Sequence, residues 1–463
     1  MKKDRLAALR NGEELTLGDQ IRLITTLSFP AIMAQISSII MQYIDTSMVG
    51  RLGANESASI GLIASSTWLF NGLLSAAVAG FTVQVAQRIG AKRDREARDI
   101  MKHGFAVAVG IAVLLAAIGA AISGVLPTFL GGGADIRADS SAYFLIYALS
   151  LPAVQLCSLS GGFLQASGNM RLPGMLNVMM CGLDVVFNYL FIFPSREFFG
   201  IKIWGAGLGV AGASLGTATA QAVTAVLMTY FLLRRSPVMG LRRGEKTSFN
   251  SGYLRLGWRI GVPVALEQGA MCTAYIMATK IVSPLGNIAI AANSFAVTAE
   301  SLCYMPGYGI GAASATLIGQ SIGARRESLT RRLGWICTLF GMAVMTVSGI
   351  LMFFAAPYMI GFLSPEAAVV DLGTKVLRLE AFAEPMYAAS IVASGVFRGA
   401  GDTMASGLMN LVSMWAVRIP LSAILAPRYG LVGVWIAMFI ELCFRGVIFL
   451  IRLAGRKWEK RLG

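Results

Sequence analysis

Apolar residues fall in long blocks along this chain, without the strict alternation of a half-buried strand or the one-sided stripe of a surface helix. Twelve blocks, each bounded by charge, glycine or proline, cover residues 22–49, 58–87, 103–130, 139–166, 173–194, 205–233, 257–283, 287–319, 333–362, 367–397, 404–426 and 430–453. Each reaches the roughly 20 residues that an α-helix needs to cross a hydrocarbon core. The pattern predicts an all-α integral membrane protein with twelve transmembrane helices. The polar stretches between blocks are short. The longest, from Arg234 to about Arg259, is too small for a soluble domain.

The two halves repeat at a constant offset of 233 residues. Pro30-Ala-Ile-Met-Ala-Gln35 matches Pro263-Val-Ala-Leu-Glu-Gln268, and Gly53 matches Gly286. Gln87-Arg-Ile-Gly-Ala91 matches Gln320-Ser-Ile-Gly-Ala324, each followed by basic residues. Pro152 matches Pro385, Gly168 matches Gly401, Gly174 matches Gly407 and Asn177 matches Asn410. Past that point the offset falls to 221, with Gly209-Val-Ala-Gly212 on Gly430-Leu-Val-Gly433. The first half therefore carries a 12-residue insertion around Ser195 to Trp204. Six spans per copy is an even number, so both copies enter from the same side and run parallel, related by a pseudo-two-fold axis along the membrane normal. The expected layout is a 1–21 cytoplasmic N-terminal segment, a 22–233 six-helix bundle, a 234–256 cytoplasmic linker, a 257–453 six-helix bundle and a 454–463 cytoplasmic tail.

Charge sets the orientation. Of the 39 Lys and Arg residues, 29 fall on the side of the two chain ends, seven on the other side, and three (Lys280, Arg418, Arg445) inside spans. Positive charge marks the cytoplasmic face, so both termini are cytoplasmic and the chain sits in the cell inner membrane. No cleavable signal peptide is visible in MKKDRLAALRNGEE. The net charge of +15 is spread over several loops rather than gathered in one aromatic-lined patch. It reads as topology and attraction to anionic lipid, not as nucleic-acid binding.

Composition mainly excludes. The chain of 463 residues is 56% hydrophobic and 14% charged, against about 25% charged in soluble domains. Its one histidine, His103, rules out a His-rich metal site and a multi-His proton relay. The six cysteines sit in apolar runs without a CxxC pair and read as small buried hydrophobes. The Gly-rich stretches 399–402 and 167–170 lack the Gly-Lys-Ser/Thr ending of a phosphate loop, so ATP hydrolysis has no sequence support.

Taken together, these landmarks resemble the multidrug and toxic compound extrusion (MATE) family, in its prokaryotic type, over about residues 22–453. The carriers are Pro30, IDTSMVGRLG (44–53), QRIGAKR (87–93), QASGNMRLP (165–173), LDVVFNYLFIF (183–193), GVPVALEQ (261–268), ESLCYMPGYGIGAASATLIGQSIGA (300–324) and FRGAGDT (397–403). The resemblance implies a non-enzymatic secondary antiporter. It would export organic, mainly cationic, compounds by alternating access in exchange for H+ or Na+, with no cofactor.

Acids inside the spans are the candidate chemistry, because an ionised carboxylate in hydrocarbon needs a partner, water or a proton. Asp45 lies about 7 Å inside the outer boundary of its span at ~1.5 Å per residue. Asp184 and Asn188 share a face at i, i+4, with Asn188 at the depth of Asp45. Thr46, Ser47 and Thr217 add hydroxyls. Such a set can hold Na+ through oxygen ligands or share a proton, and it resembles the N-half cation site of the family. In the family this span often shows an amide followed four residues later by an acid or amide; here the first position is Asp184 and the second Asn188, a departure that leaves the ion open. In the second half Glu267, Glu300 and Lys280 are candidates for a substrate or second cation site, the alternative being that the acids pair with Lys280 or Arg418. Glu380 and Glu384 also lie within a span, and Glu441 precedes Arg445 at salt-bridge spacing. Pro30 is either a hinge or a static kink. The 23 methionines and 24 phenylalanines suit an adaptable apolar cavity. Small organic cations and membrane lipid are the expected partners, with the protein a monomer. The rivals are a flippase for lipid-linked saccharides and, from another class, an intramembrane enzyme or receptor.

Overall fold

The computed structural model describes residues 5–198, 201–242, 245, 250–455 and 457–459. The outermost residues of the expected N-terminal segment, part of the linker and half of the 454–463 tail lie outside the described residues. Helices dominate. In chain order they are α1 (Arg5–Asn11), α2 (Leu17–Gly50), α3 (Ala54–Gly90), α4 (Asp94–Ile122), α5 (Leu126–Phe129), α6 (Arg137–Ala166), α7 (Arg171–Ile192) and α8 (Gly209–Tyr230) in the first half. The second half holds α9 (Ser251–Val282), α10 (Asn287–Gly323), α11 (Glu327–Leu363), α12 (Ala367–Ala381), α13 (Glu384–Ala400), α14 (Thr403–Val412) and α15 (Ile419–Ala454).

Nine helical stretches among the described residues are long and apolar enough to cross a membrane. Three physical reasons separate nine from the twelve expected blocks. First, Thr403–Ala454 reads as one stretch of 52 residues, because a π-helical segment, Ser413–Arg418, joins α14 to α15 without a gap. Inside α15, however, Gly430 leaves helical geometry at φ 60° and ψ −141°. Its repeat counterpart Gly209 has φ 57° and begins α8. Gly430 therefore marks the same boundary between two spans, in a conformation that favours glycine. Second, α9 carries Arg255, Arg259, Glu267 and Lys280, which lower its mean hydropathy. Third, the 367–397 block is broken at Phe382–Ala383, just before Glu384-Pro385, into helices of 15 and 17 residues. The 12-residue insertion is a departure from all-helix: Pro194–Phe198 and Ile201–Ala206 pair as an antiparallel hairpin.

The chain forms two compact units that do not follow the repeat halves. One comprises Met1–Ile36, Ala86–Lys92 and Val262–Gly463; the other comprises Ser37–Val85 and Arg93–Gly261. The first helix of each repeat, α2 and α9, is thus divided between units. In the first unit the core gathers Ala292, Ala296, Met345, Ala356, Ile360, Leu377, Ala388 and Trp435, all at most 1% exposed. In the second unit Phe70 meets Phe144 edge-on at 5.8 Å between Ile63, Ala112 and Leu151.

The linker is tied down within its own unit. Arg98 at the start of α4 donates Nε to Glu245 Oε2 at 2.8 Å, Nη2 to Oε1 at 2.5 Å and Nη1 to the Val238 carbonyl at 2.9 Å. This guanidinium holds the Glu245 carboxyl below its ordinary range. His103 Nδ1 lies 2.8 Å from the Asp99 carbonyl, and its Nε2 accepts the Asn250 N–H at 3.3 Å. The lone histidine therefore positions the linker backbone.

Candidate functional site

The N-half cluster stands on α2, α7 and α8 of the second unit. One helical turn separates Asp184 from Asn188, so both project from the same face of α7, and both are fully buried. Asn188 Nδ2 donates to Asp45 Oδ1 at 2.9 Å and to Asp184 Oδ2 at 3.0 Å. One amide therefore bridges the two carboxylates. The two carboxyls lie close to each other, and the Thr217 hydroxyl lies near Asp184. Asp184 Oδ1 and Asn188 Oδ1 are buried without a donor among the described residues.

Helix proximity places these groups. Gly212 and Gly216 lie four apart on α8, a spacing that lets helix backbones approach closely in a membrane. A methyl at 212 would sit 2.4 Å from the Phe191 carbonyl oxygen, and one at 216 would sit 2.0 Å from Asn188 Oδ1. Gly216 thus leaves the room that the bridging amide occupies, and Thr217 follows it to Asp184. Below the cluster Val49, Ile192, Phe193 and Ala213 form an apolar floor with Tyr143 and Tyr189. Thr46 departs from expectation. Its hydroxyl donates to the Gln42 carbonyl of its own helix at 2.8 Å and is not drawn into the cluster.

The C-half candidates do not form one group. Glu267 on α9 accepts from Asn410 Nδ2 at 2.5 Å, and a methyl at Gly407 would sit 3.3 Å from its other oxygen. Asn410, a landmark of the repeat, is therefore its partner in place of Lys280 or Arg418. Lys280 is exposed near the end of α9 and has no ion pair among the described residues. Glu300 on α10 is buried and lies in the field of Arg418 and Arg445. Pro30 sits within α2, which runs on as one helix through it.

The structure adds an acidic centre whose grouping the sequence did not reveal. Glu380 lies in the last turn of α12 and Glu384 begins α13, and both are fully buried near Glu300. None of their four carboxylate oxygens has a hydrogen-bond partner among the described residues. The available signal was their i, i+4 spacing immediately before a proline, but spacing alone does not say which face of a span turns inward. Beside them Glu441 Oε1 accepts Arg445 Nε at 2.7 Å and also the Ser413 hydroxyl from the π-helical segment. Arg445 stacks over Tyr387 at 5.8 Å, and Tyr387 packs on Tyr304 at 5.5 Å. Among the described residues no group of three or more His, Cys, Asp or Glu is arranged to hold a metal ion.

Comparison with known proteins agrees with the repeat. The MatE family model matches residues 30–190 and again 263–424, two matches that begin 233 residues apart. A probable multidrug resistance protein NorM of Thermotoga maritima is 25% identical over 443 residues, covering 94% of this chain and 92% of that protein. A MATE transporter crystallised in complex with MaL6 superposes with a TM-score of 0.88 at 18% identity, covering 98% of this chain and 99% of that one. A MOP superfamily transporter from Pyrococcus furiosus Vc1, whose reversed binding-pocket polarity suggests a different function, superposes with a TM-score of 0.88 at 18% identity over 98% of both chains. The duplicated helices, the buried polar clusters and a family match across both halves lead to one conclusion: the chain belongs to the multidrug and toxic compound extrusion (MATE) family of membrane transporters and is not an enzyme.

Proposed function

We propose that this protein is a secondary antiporter that exports organic cations in exchange for protons, with Asp45, Asp184, Asn188 and Thr217 as the coupling site. The observation that carries this reading is the bridging amide. A sodium site needs several oxygens directed at one point. Here the centre of the cluster is an N–H₂ group whose two protons already point at the two carboxylates. Two carboxylates that share a site hold a proton between them more readily than two full charges. Proton entry from outside removes one of the pair's two negative charges, and its release inside restores the charge that draws the next cation. The acidic second half supports a cationic substrate: Glu300, with Glu380 and Glu384, forms the second site, and Glu267 with Asn410 is a separate polar contact on α9 and α14. Pro30 removes one backbone hydrogen bond from α2 and is the hinge.

The bundles are taken as 22–233 and 257–453, joined by the 234–256 linker, in a monomer. Both termini face the cytoplasm of a cell whose inner membrane holds the chain. The test is uptake of a fluorescent cationic dye into inside-out proteoliposomes, with pH and Na+ gradients imposed separately. A pH gradient alone is expected to drive uptake, and Asp45→Asn to abolish it. Uptake driven only by Na+ would overturn the proton assignment. No uptake under either gradient in folded protein would overturn the antiport reading in favour of a lipid-linked substrate.

A further inference from the structure

The C-terminal ends of α3 and α10 cross within the first unit. The contacts there pair residues related by the 233-residue repeat. A methyl at Gly90 would sit 2.0 Å from the Gln320 carbonyl oxygen, and one at Gly323 would sit 1.9 Å from the Gln87 carbonyl oxygen. These two contacts are counterparts of each other. Between them a methyl at Gly319 would lie 2.9 Å from the Ala86 methyl, and these two positions are counterparts that touch. The pseudo-two-fold axis therefore passes through this crossing, in an isologous contact built into one chain. Both following loops are basic and turn at a non-glycine residue with positive φ, Lys92 at 59° and Arg325 at 61°.

The two glutamine side chains fasten further elements to the crossing. Gln87 Nε2 donates to the Gly399 carbonyl at 3.2 Å. Gln320 Oε1 accepts Arg10 Nε at 3.1 Å, from the N-terminal segment. That segment is a built structure. Leu9 of α1 is fully buried, and Gly12 (φ 83°) turns the chain so that the Glu13 N–H closes on the Ala8 carbonyl at 3.1 Å. Arg326, the residue preceding α11, donates to the Glu13 carbonyl at 2.6 Å and more weakly to that of Leu9 at 3.4 Å. At the other end Arg5 Nε holds Asp19 of α2 at 3.0 Å. Thr16 caps the start of α2: its Oγ1 accepts the Asp19 N–H at 3.2 Å and donates to Asp19 Oδ2 at 2.9 Å. The segment thus spans from α2 to α10 and α11 across the end of the crossing.

We propose that residues 5–16 are a strap that holds the α3–α10 crossing shut, with Arg10 as its bolt, and that the strap must release before the basic side of the transporter can open. For its transport arm the inference rests on the antiport reading; for its exchange arm it does not. Hydrogen exchange is measured by mass spectrometry on the full chain in lipid nanodiscs. Arg10→Ala is expected to speed amide exchange at least about tenfold in the α3 and α10 ends as well as in α1. Faster exchange in α1 alone would overturn the strap's hold on the crossing. Unchanged exchange in α1 would overturn Arg10 as the bolt. In the second arm, Glu13→Cys with Arg326→Cys is joined by a reducible bis-methanethiosulfonate crosslinker. Dye uptake is expected to fall at least tenfold and to return on reduction. Full uptake in crosslinked protein would overturn the need for release. Absence of uptake in the wild type would count against the antiport reading alone, and the exchange arm would still decide the strap.

Discussion

Asn188 is the residue on which the coupling site depends. Its two donors serve Asp45 and Asp184, and it fits only because position 216 has no side chain. Asn188→Leu keeps similar volume but leaves the buried Asp184 and the half-buried Asp45 carboxylates without their shared amide donor. Proton-driven dye uptake is expected to fall at least tenfold, with about 1–3 kcal/mol lost in stability by thermal denaturation. Gly216→Ala is expected to act on the same amide from the other side. The added methyl displaces Asn188, costs about 1–3 kcal/mol and lowers uptake without removing any polar group. Unchanged uptake in Gly216→Ala, with an unchanged Tm, would show that the amide's position is not critical. The facing of Asp184 and Asn188 was legible, because i, i+4 on a helix fixes it. That Asn188 and Asp45 lie at one level was legible from rise per residue. The Thr46 hydroxyl was misjudged because a helical threonine has its own i−4 carbonyl within reach, a local partner that competes with any distant one.

At the scale of elements, helix ends and connections hold most of what sequence patterns cannot show. Blocks of apolar residues located the spans, since length and hydropathy decide them. They did not locate the break at Phe382–Ala383 that brings Glu380 and Glu384 together, because nothing apolar is interrupted there. The insertion was visible as a change of offset, but its pairing as a hairpin was not. The linker offers a pH test. The Glu245 carboxyl is held below its ordinary range by Arg98, so the clamp contributes fully above the unfolded value of about 4.3 and is lost as pH falls through the lower folded value. Protease cleavage in the linker is expected to stay flat from neutral pH down to about pH 5 and to rise only under stronger acid. Glu245→Gln is expected to remove that acid step and to leave cleavage elevated throughout. A step that persists in Glu245→Gln would assign it to another group.

For the whole molecule, duplication was the most legible feature and the compact units the least. A constant offset needs only landmarks in sequence, whereas the division of α2 and α9 between units depends on which faces meet. Orientation belongs to this scale. In the basic-side-in arrangement Trp204, exposed on the hairpin, faces outward, and Arg235, at the end of the π-helical turn after α8, faces the cytoplasm. In intact cells, a membrane-impermeant maleimide is expected to label Trp204→Cys and to spare Arg235→Cys. The reverse pattern would invert the topology.

The contact between Ala86 and Gly319 carries a consequence for how two copies of one motif live in one chain. Two equivalent positions share a single gap that has room for one methyl group. Had the halves stayed identical there, the gap would be either empty or overfilled. With the copies fused, the methyl can sit on either side but not on both. Gly319→Ala alone is expected to destabilise the protein by about 1–3 kcal/mol. Adding Ala86→Gly is expected to return most of that loss, a strongly non-additive pair. Each copy's residue there is thus the other copy's boundary condition.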